Sequence, residues 1–216
     1  MTRSPGRFIA FEGGEGAGKS TQARLLAESL RASGLTVVTT REPGGTPGAE
    51  AIRELLLHPP GAQGWPAEAE ALLFAAARAD HVAHLIRPAL ARGEWVICDR
   101  FVDSSRAYQG GAGGLGDKAI GALHTFGSGG LRPDLVILLE ADGAALSARL
   151  AARDGDTSDA IGGRPAEYHQ AVAAAFRQLA EGDPLGFARI DAIGEPMAVH
   201  ERVMEALAPL LEGVRG

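Results

Sequence analysis

Short apolar runs rich in β-branched residues alternate along this chain with longer stretches in which apolar residues recur every three or four positions. The first pattern predicts buried strands and the second amphipathic helices. Strands are expected at Phe8–Phe11, Thr36–Thr40, Trp95–Cys98 (with Asp99 at its end), Leu135–Leu139 and Phe187–Ile190. Helices are expected at about Lys19–Ser33, closed by Gly34, and at Ala49–Leu57, Ala67–Ala91, Asp117–Phe126, Ala144–Ala152, Ala166–Ala180 and Met197–Leu211. His58–Pro66 reads as a Pro/Gly loop, Gly110–Gly116 as a flexible run and Arg153–Arg164 as a polar, Gly-rich mobile loop. Strand–helix alternation of this kind builds βαβ units around a parallel sheet, an α/β fold. No internal repeat is present.

Composition narrows the class. The 216 residues suit one domain, and 45% hydrophobic content with mean hydropathy near zero suits a globular chain. No apolar run is long enough to cross a bilayer. Met1–Arg7 has no apolar segment of a secretory kind, so a cytoplasmic location is expected. The single cysteine, Cys98, excludes an intrachain disulfide and reads as a small core residue. A net charge of -6 argues against non-specific nucleic-acid binding. An anionic substrate would therefore need local positive charge. Nearly all of that charge is arginine: the only lysines are Lys19 and Lys118, and asparagine is absent.

Between the first strand and the first helix, Gly13-Gly14-Glu15-Gly16-Ala17-Gly18-Lys19-Ser20 matches G-x-x-x-x-G-K-[ST] in full, with Thr21 following. Glycines let backbone N–H groups converge on phosphate oxygens, and the next helix adds its positive end. Lys19 would reach the β- and γ-phosphates of ATP, and the Ser20 hydroxyl would ligate Mg²⁺. One of only two lysines stands here in a chain that otherwise uses arginine, as expected where a point charge is needed.

Other P-loop classes fit poorly. A guanine-reading N-K-x-D cannot exist without asparagine, and Gly127–Leu131 lacks the glutamine of a transporter signature. A motor usually needs a larger chain. A small kinase remains. The strand ending at Asp99-Arg100 is the expected place for a carboxylate that orients the metal shell and for an arginine on the phosphates, although such a pair is also common on surfaces.

Five segments in order carry a closer resemblance: Phe11–Thr21, Arg41-Glu42-Pro43-Gly44-Gly45-Thr46, Leu73-Phe74-Ala75-Ala76-Ala77-Arg78, Asp99-Arg100-Phe101, and Asp103–Gly110 with its Ala-Tyr-Gln-Gly core. Together with Arg132-Pro133-Asp134-Leu135 they resemble the motifs of bacterial thymidylate kinase over most of the chain. The resemblance implies a P-loop NTPase three-layer sandwich: a five-stranded parallel sheet flanked by helices, plus a mobile lid at about 150–165. It implies Mg-ATP-dependent phosphorylation of thymidine 5′-monophosphate, a step toward dTTP, and a homodimer.

The same resemblance assigns roles. Phe74 would stack on the base, with Arg78 one turn on toward a base carbonyl. Gln109 offers both a donor and an acceptor to the thymine edge. Ser105 would line that pocket, Tyr108 would fill the space of a 2′-hydroxyl, and Glu42 would help place the sugar or the metal shell. Arg53 and Arg100 would hold the acceptor phosphate. Taken singly, Phe74 reads as core and Arg53 and Arg78 as solvated surface; their joint order reverses this. Catalysis falls to Lys19, Arg100 and Glu15 with lid arginines. Family members with Glu at the Glu15 position draw a catalytic arginine from the lid, usually within an Asp-Arg pair, but Asp159-Ala160-Ile161 lacks it. Arg153 and Arg164 are the expected replacements, with Arg149 another candidate. His81 and His84 read as surface or interface residues. Another small P-loop nucleoside or nucleotide kinase, or a nucleotide-binding module without turnover, remains compatible with the residues alone.

Overall fold

The computed structural model describes residues 6–61, 63–141 and 163–212. Five parallel strands form one sheet: β1 (Phe8–Glu12), β2 (Val37–Arg41), β3 (Trp95–Asp99), β4 (Leu135–Glu140) and β5 (Phe187–Asp191), in the order β2-β3-β1-β4-β5. The helices are α1 (Lys19–Ala32), α2 (Pro47–Leu57), α3 (Ala67–His81), α4 (Arg87–Ala91), α5 (Val102–Ser105), α6 (Asp117–Ser128), α7 (Ala166–Gly182) and α8 (Pro196–Glu212). The expected α/β architecture and parallel sheet are present, with strand ends shifted by at most a residue or two.

Both faces of the sheet are covered, which is why the central strands read as unbroken apolar runs. Along β1, Ile9 and Phe11 face one layer with Leu26 and Leu30 of α1 and Val203 and Leu207 of α8. Phe8 and Ala10 face the other, with Val82, Ile86 and Phe101. Beside β4, Val136 and Leu138 pack with Tyr108, Val172 and Phe176. This alternation is the two-residue period of a strand.

Two helical details depart from the periodicity. The expected helix Ala67–Ala91 is helical throughout, but Val82–Ile86 is π-helical between α3 and α4. Pro88 has no N–H to give to the preceding turn, so the ladder widens there. The run expected to be flexible from Gly110 begins inside a helix, because α5 continues as a π-helical stretch, Arg106–Ala112. Its glycines serve packing. A Cβ on Gly111 would lie 2.7 Å from the Ala175 Cβ of α7, so the missing side chain lets two helices meet.

Register explains where the chemistry gathers. β3 lies between β2 and β1, with Asp99 opposite both Phe11 and Arg41. The chain segments leaving β1, β2 and β3 therefore emerge side by side at the carboxyl edge, where open α/β sheets bind ligands. The expected helix Ala144–Ala152 and most of the lid, with Arg149, Arg153 and Asp159-Ala160-Ile161, lie outside the described residues.

Candidate active site

The phosphate loop begins with a close approach. Gly13 has φ 134°, and a Cβ there would stand 2.4 Å from the Leu139 carbonyl oxygen of β4. That oxygen is backbone and cannot swing aside. Gly13→Ala should therefore cost about 1–3 kcal/mol of stability and raise KM for ATP. Gly18 has φ 90° but open space around its Cβ, so Gly18→Ala should cost less. Thermal unfolding of the two variants side by side checks the order.

Lys19, buried at 7% exposure, donates to the carbonyls of Gly14 (2.7 Å) and Gly13 (3.1 Å). Burial, with the Arg100 charge adding to it, lowers its pKa from 10.5 to about 7, against the opposing pull of Asp99, Glu12 and Glu15. The Ser20 hydroxyl donates to Asp99 Oδ2 at 2.5 Å, bringing the loop and the β3 carboxylate together as the motif predicts.

Arg100 follows directly. Among the described residues it is the one non-glycine with left-handed φ, at 70°. This conformation costs about 1–2 kcal/mol, and it turns the guanidinium toward the phosphate loop. Arg100 Nη1 donates to the Gly13 carbonyl (3.2 Å) and to Ser104 Oγ (3.1 Å), and the guanidinium lies 5.2 Å from the Tyr108 ring centroid. Glu15 is 3.9 Å from it.

Glu12, at the end of β1, anchors this turn. Its carboxylate accepts from the backbone N–H groups of Phe101 and Ser104 at 2.8 and 3.0 Å, and from the Ser104 hydroxyl at 2.6 Å. Complete burial, and then the nearby Asp103, raise its pKa to about 7.

A second network builds the far wall. Arg78 Nε donates to Glu42 Oε2 at 2.7 Å, and Nη2 donates to Ser105 Oγ at 2.8 Å. His81 Nδ1 meets the other oxygen of Glu42 at 3.0 Å, and its Nε2 meets Thr40 Oγ1 at 2.7 Å. Glu42, Arg78 and His81 are all buried. His81 was expected at the surface or an interface, and instead it is buried inside the chain because both ring nitrogens have partners there. The turn-by-turn face shared by Glu70, Phe74, Arg78 and His81 on α3 was the available signal. His84 is exposed, as expected. Arg53 donates to the Pro43 carbonyl at 2.8 Å, which holds it beside the Arg-Glu-Pro segment.

Lys19, Arg100 and Arg78, with groups around them, line one cavity of about 480 Å³. Its walls include the phosphate-loop residues Glu15, Gly16, Gly18, Lys19, Ser20 and Thr21, together with Arg53, Phe74, Arg78, Ser105, Tyr108 and Gln109, and Glu42, Asp99 and Arg100. Of the P-loop residues singled out by sequence, Gly13 and Gly14 act through the carbonyls that hold Lys19, and Ala17 packs into the core. Arg164 does not line the cavity. Its guanidinium is held by Glu70 and Tyr168, a tertiary pair that sequence reasoning did not foresee.

Comparison with known proteins agrees along almost the full chain. The chain is 56% identical over 207 residues to the thymidylate kinase of Rhizorhabdus wittichii, covering 96% of this chain and 99% of that one. It is 51% identical over 212 residues to the thymidylate kinase of Pseudomonas fluorescens, covering 98% and 99%. The crystal structure of thymidylate kinase from Ehrlichia chaffeensis superposes with a TM-score of 0.75 at 34% identity, over 94% of this chain and 99% of that one. The sequence model of the thymidylate kinase family matches residues 11–203. A match that starts in β1 and ends in α8, over the fold just described, makes this chain a member of the thymidylate kinase family.

Proposed function

We propose that this cavity transfers the γ-phosphoryl group of ATP to thymidine 5′-monophosphate, the reaction of its family, with the following division of labour. One observation carries the reading: the phosphate loop and the aromatic, arginine-bearing wall line the same cavity. A donor triphosphate held by the loop and an acceptor monophosphate held opposite would then meet without any domain movement to bring them together.

Lys19, Gly16, Gly18, Ser20 and Thr21 hold the donor phosphates, and Glu15, 3.9 Å from Arg100, would face the gap between donor and acceptor. Arg53 and Arg100 take the acceptor phosphate. Phe74 stacks on thymine, Arg78 donates to a base carbonyl, and Ser105 and Gln109 complete the pocket. Tyr108, beneath the Arg100 guanidinium, occupies the space that a ribose 2′-hydroxyl would need. Glu42 acts through the Arg78 it holds. Arg153 remains the proposed lid cation. Arg164 would have to leave Glu70 to join it.

Mg²⁺ fits the oxygens present. Ser20 Oγ and Asp99 Oδ2 already converge within 2.5 Å. Among the described residues no cluster of three His, Cys, Asp or Glu side chains is poised for a metal. An ion here would rest on Ser20, Asp99 and the nucleotide's own phosphates, the mixed set that magnesium favours. When bound it would offset phosphate charge.

No protein base is required. A phosphate monoester has a second pKa of about 6, so the acceptor is already mostly dianionic at neutral pH. Its oxygen attacks the γ-phosphorus in line while the bond to the bridging oxygen breaks and ADP leaves. Lys19 and Arg100 neutralise the charge that moves between them, so catalysis is positioning plus electrostatics.

A homodimer is supported by exposed apolar side chains on two helices that pack together, Leu72 of α3 (57%) and Phe126 of α6 (95%). A cytoplasmic location accords with a single buried thiol and with described helices too short or too polar to cross a membrane.

The test is an ADP-release assay with ATP and a panel of acceptors. Thymidine 5′-monophosphate should exceed deoxycytidine and uridine monophosphates and thymidine by about tenfold or more in kcat/KM, the scale on which a polar pocket discriminates. Preference for unphosphorylated thymidine, or no turnover with any acceptor, would reject the assignment.

A further inference from the structure

Gln109 lines the cavity beside Phe74 and Arg78, and its carboxamide is not free to choose how it faces inward. Its Nε2 donates to Glu70 Oε1 at 2.8 Å within the protein. A carboxylate paired with arginine has no hydrogen to give. The group turned to Glu70 must therefore be the NH₂, and the carbonyl oxygen is the end left for the cavity.

Glu70 is itself fixed. It is 8% exposed, and its other oxygen accepts from Arg164 Nη2. Arg164 Nη1 donates to the Tyr168 hydroxyl at 2.5 Å, and its guanidinium lies 4.6 Å from that ring centroid. The Tyr168 hydroxyl donates in turn to the Tyr108 carbonyl at 2.9 Å. Residues 108 and 109 are thus both tied to the start of α7. Arg78, on the same helix face as Glu70, carries a guanidinium, which has donors and no acceptor.

From this arrangement the geometry points to Glu70 as a positioning residue that sets base selectivity by orienting the Gln109 amide. Across the base edge the pocket then sets a donor, Arg78, beside a fixed acceptor, Gln109 Oε1, while the Ser105 hydroxyl can turn to suit either. That pair suits a pyrimidine edge with a carbonyl beside an N–H, as in thymine. Cytosine carries the reverse, an amino group beside a bare ring nitrogen. It would set donor against donor and acceptor against acceptor. Such a mismatch is heavily penalised because the unpaired groups stay away from water. Glu70 touches no substrate in this arrangement, and Arg164 keeps it in place. The inference rests on the thymidylate reading of the cavity.

Glu70→Gln tests it, since a second amide can give or accept and so frees Gln109 to turn over. The ratio of kcat/KM for thymidine over deoxycytidine monophosphate should fall about tenfold or more, chiefly through KM for the former. In the Gln109→Ala background the same substitution should leave the ratio where it was. A ratio equal to wild type in E70Q, even with a lower Tm, overturns the inference and leaves the thymidylate reading intact. A wild type without preference for thymidylate overturns both. Should E70Q fail to fold, a wild-type crystal grown with thymidine 5′-monophosphate decides: Gln109 Oε1 within hydrogen-bond reach of N3 is expected, and a reversed amide overturns the inference.

Discussion

Replacing Lys19 with methionine should lower kcat/KM by about 10³-fold or more, since single preorganised charges at developing phosphoryl charge are worth at least that much in comparable sites. The fold should survive. Lys19 is held by two backbone carbonyls and sits close enough to Arg100 for the two cations to oppose each other. An apolar side chain of similar reach removes that repulsion and the cost of burying a charge. Tm should hold or rise as activity collapses. A large fall in Tm together with the loss of activity would show that Lys19 is structural.

The pH dependence has a definite sign. Burial lowers the Lys19 pKa to about 7, well below the 10.5 of an unfolded chain. The native state then binds fewer protons than the unfolded state between those values. The penalty for charging Lys19 is complete below pH 7 and disappears as pH rises toward 10.5. K19M should therefore raise Tm more at pH 6 than at pH 9. Phosphate binding acts in the opposite sense, because an anion stabilises the ammonium and draws in a proton. Calorimetric titration of ATP near pH 8, repeated in buffers of different ionisation enthalpy, should reveal proton uptake by the wild type and less by K19M. Affinity should weaken as pH rises above 7, where the free site has already lost its proton.

How much of this was legible in the sequence depends on whether partners are close along the chain. The phosphate loop is one local segment bounded by a strand and a helix, so Lys19 and Ser20 could be named outright. Asp99 could be paired with them because parallel strands align their carboxyl ends, and the register Phe11–Asp99 bears this out. Glu12 belonged to the recognised segment but received no role. Its partners are the backbone amides of Phe101 and Ser104 and the Ser104 hydroxyl, which lie 89 and 92 positions away, just past the left-handed turn at Arg100. Gly110 and Gly111 looked like flexibility, since glycine disfavours helices. In fact α7 approaches so closely that only glycine fits at 111. The pairing of Glu70 with Arg164 spans 94 positions and joins α3 to the segment just before α7, which no local period relates. Sequence position alone marks Arg164 as a lid cation and says nothing of the distant carboxylate it pairs with.

Arg78→Met should raise KM for thymidylate by about 10²-fold, the effect of leaving a base carbonyl without its donor in a closed pocket. It should also destabilise the protein by about 3–5 kcal/mol, because the Glu42 carboxylate would stay buried without its arginine. The two effects have different causes and can be separated. Glu42→Gln in the same chain removes the stranded charge, and the neutral amide can still meet His81. The double variant should therefore regain much of the lost Tm while KM stays high. Arg78→Lys should fail on both counts, since one ammonium cannot span Glu42 on one side and Ser105 on the other as the planar fork does. If KM recovers together with Tm in the double variant, Arg78 serves the fold alone and the base must be read by other groups.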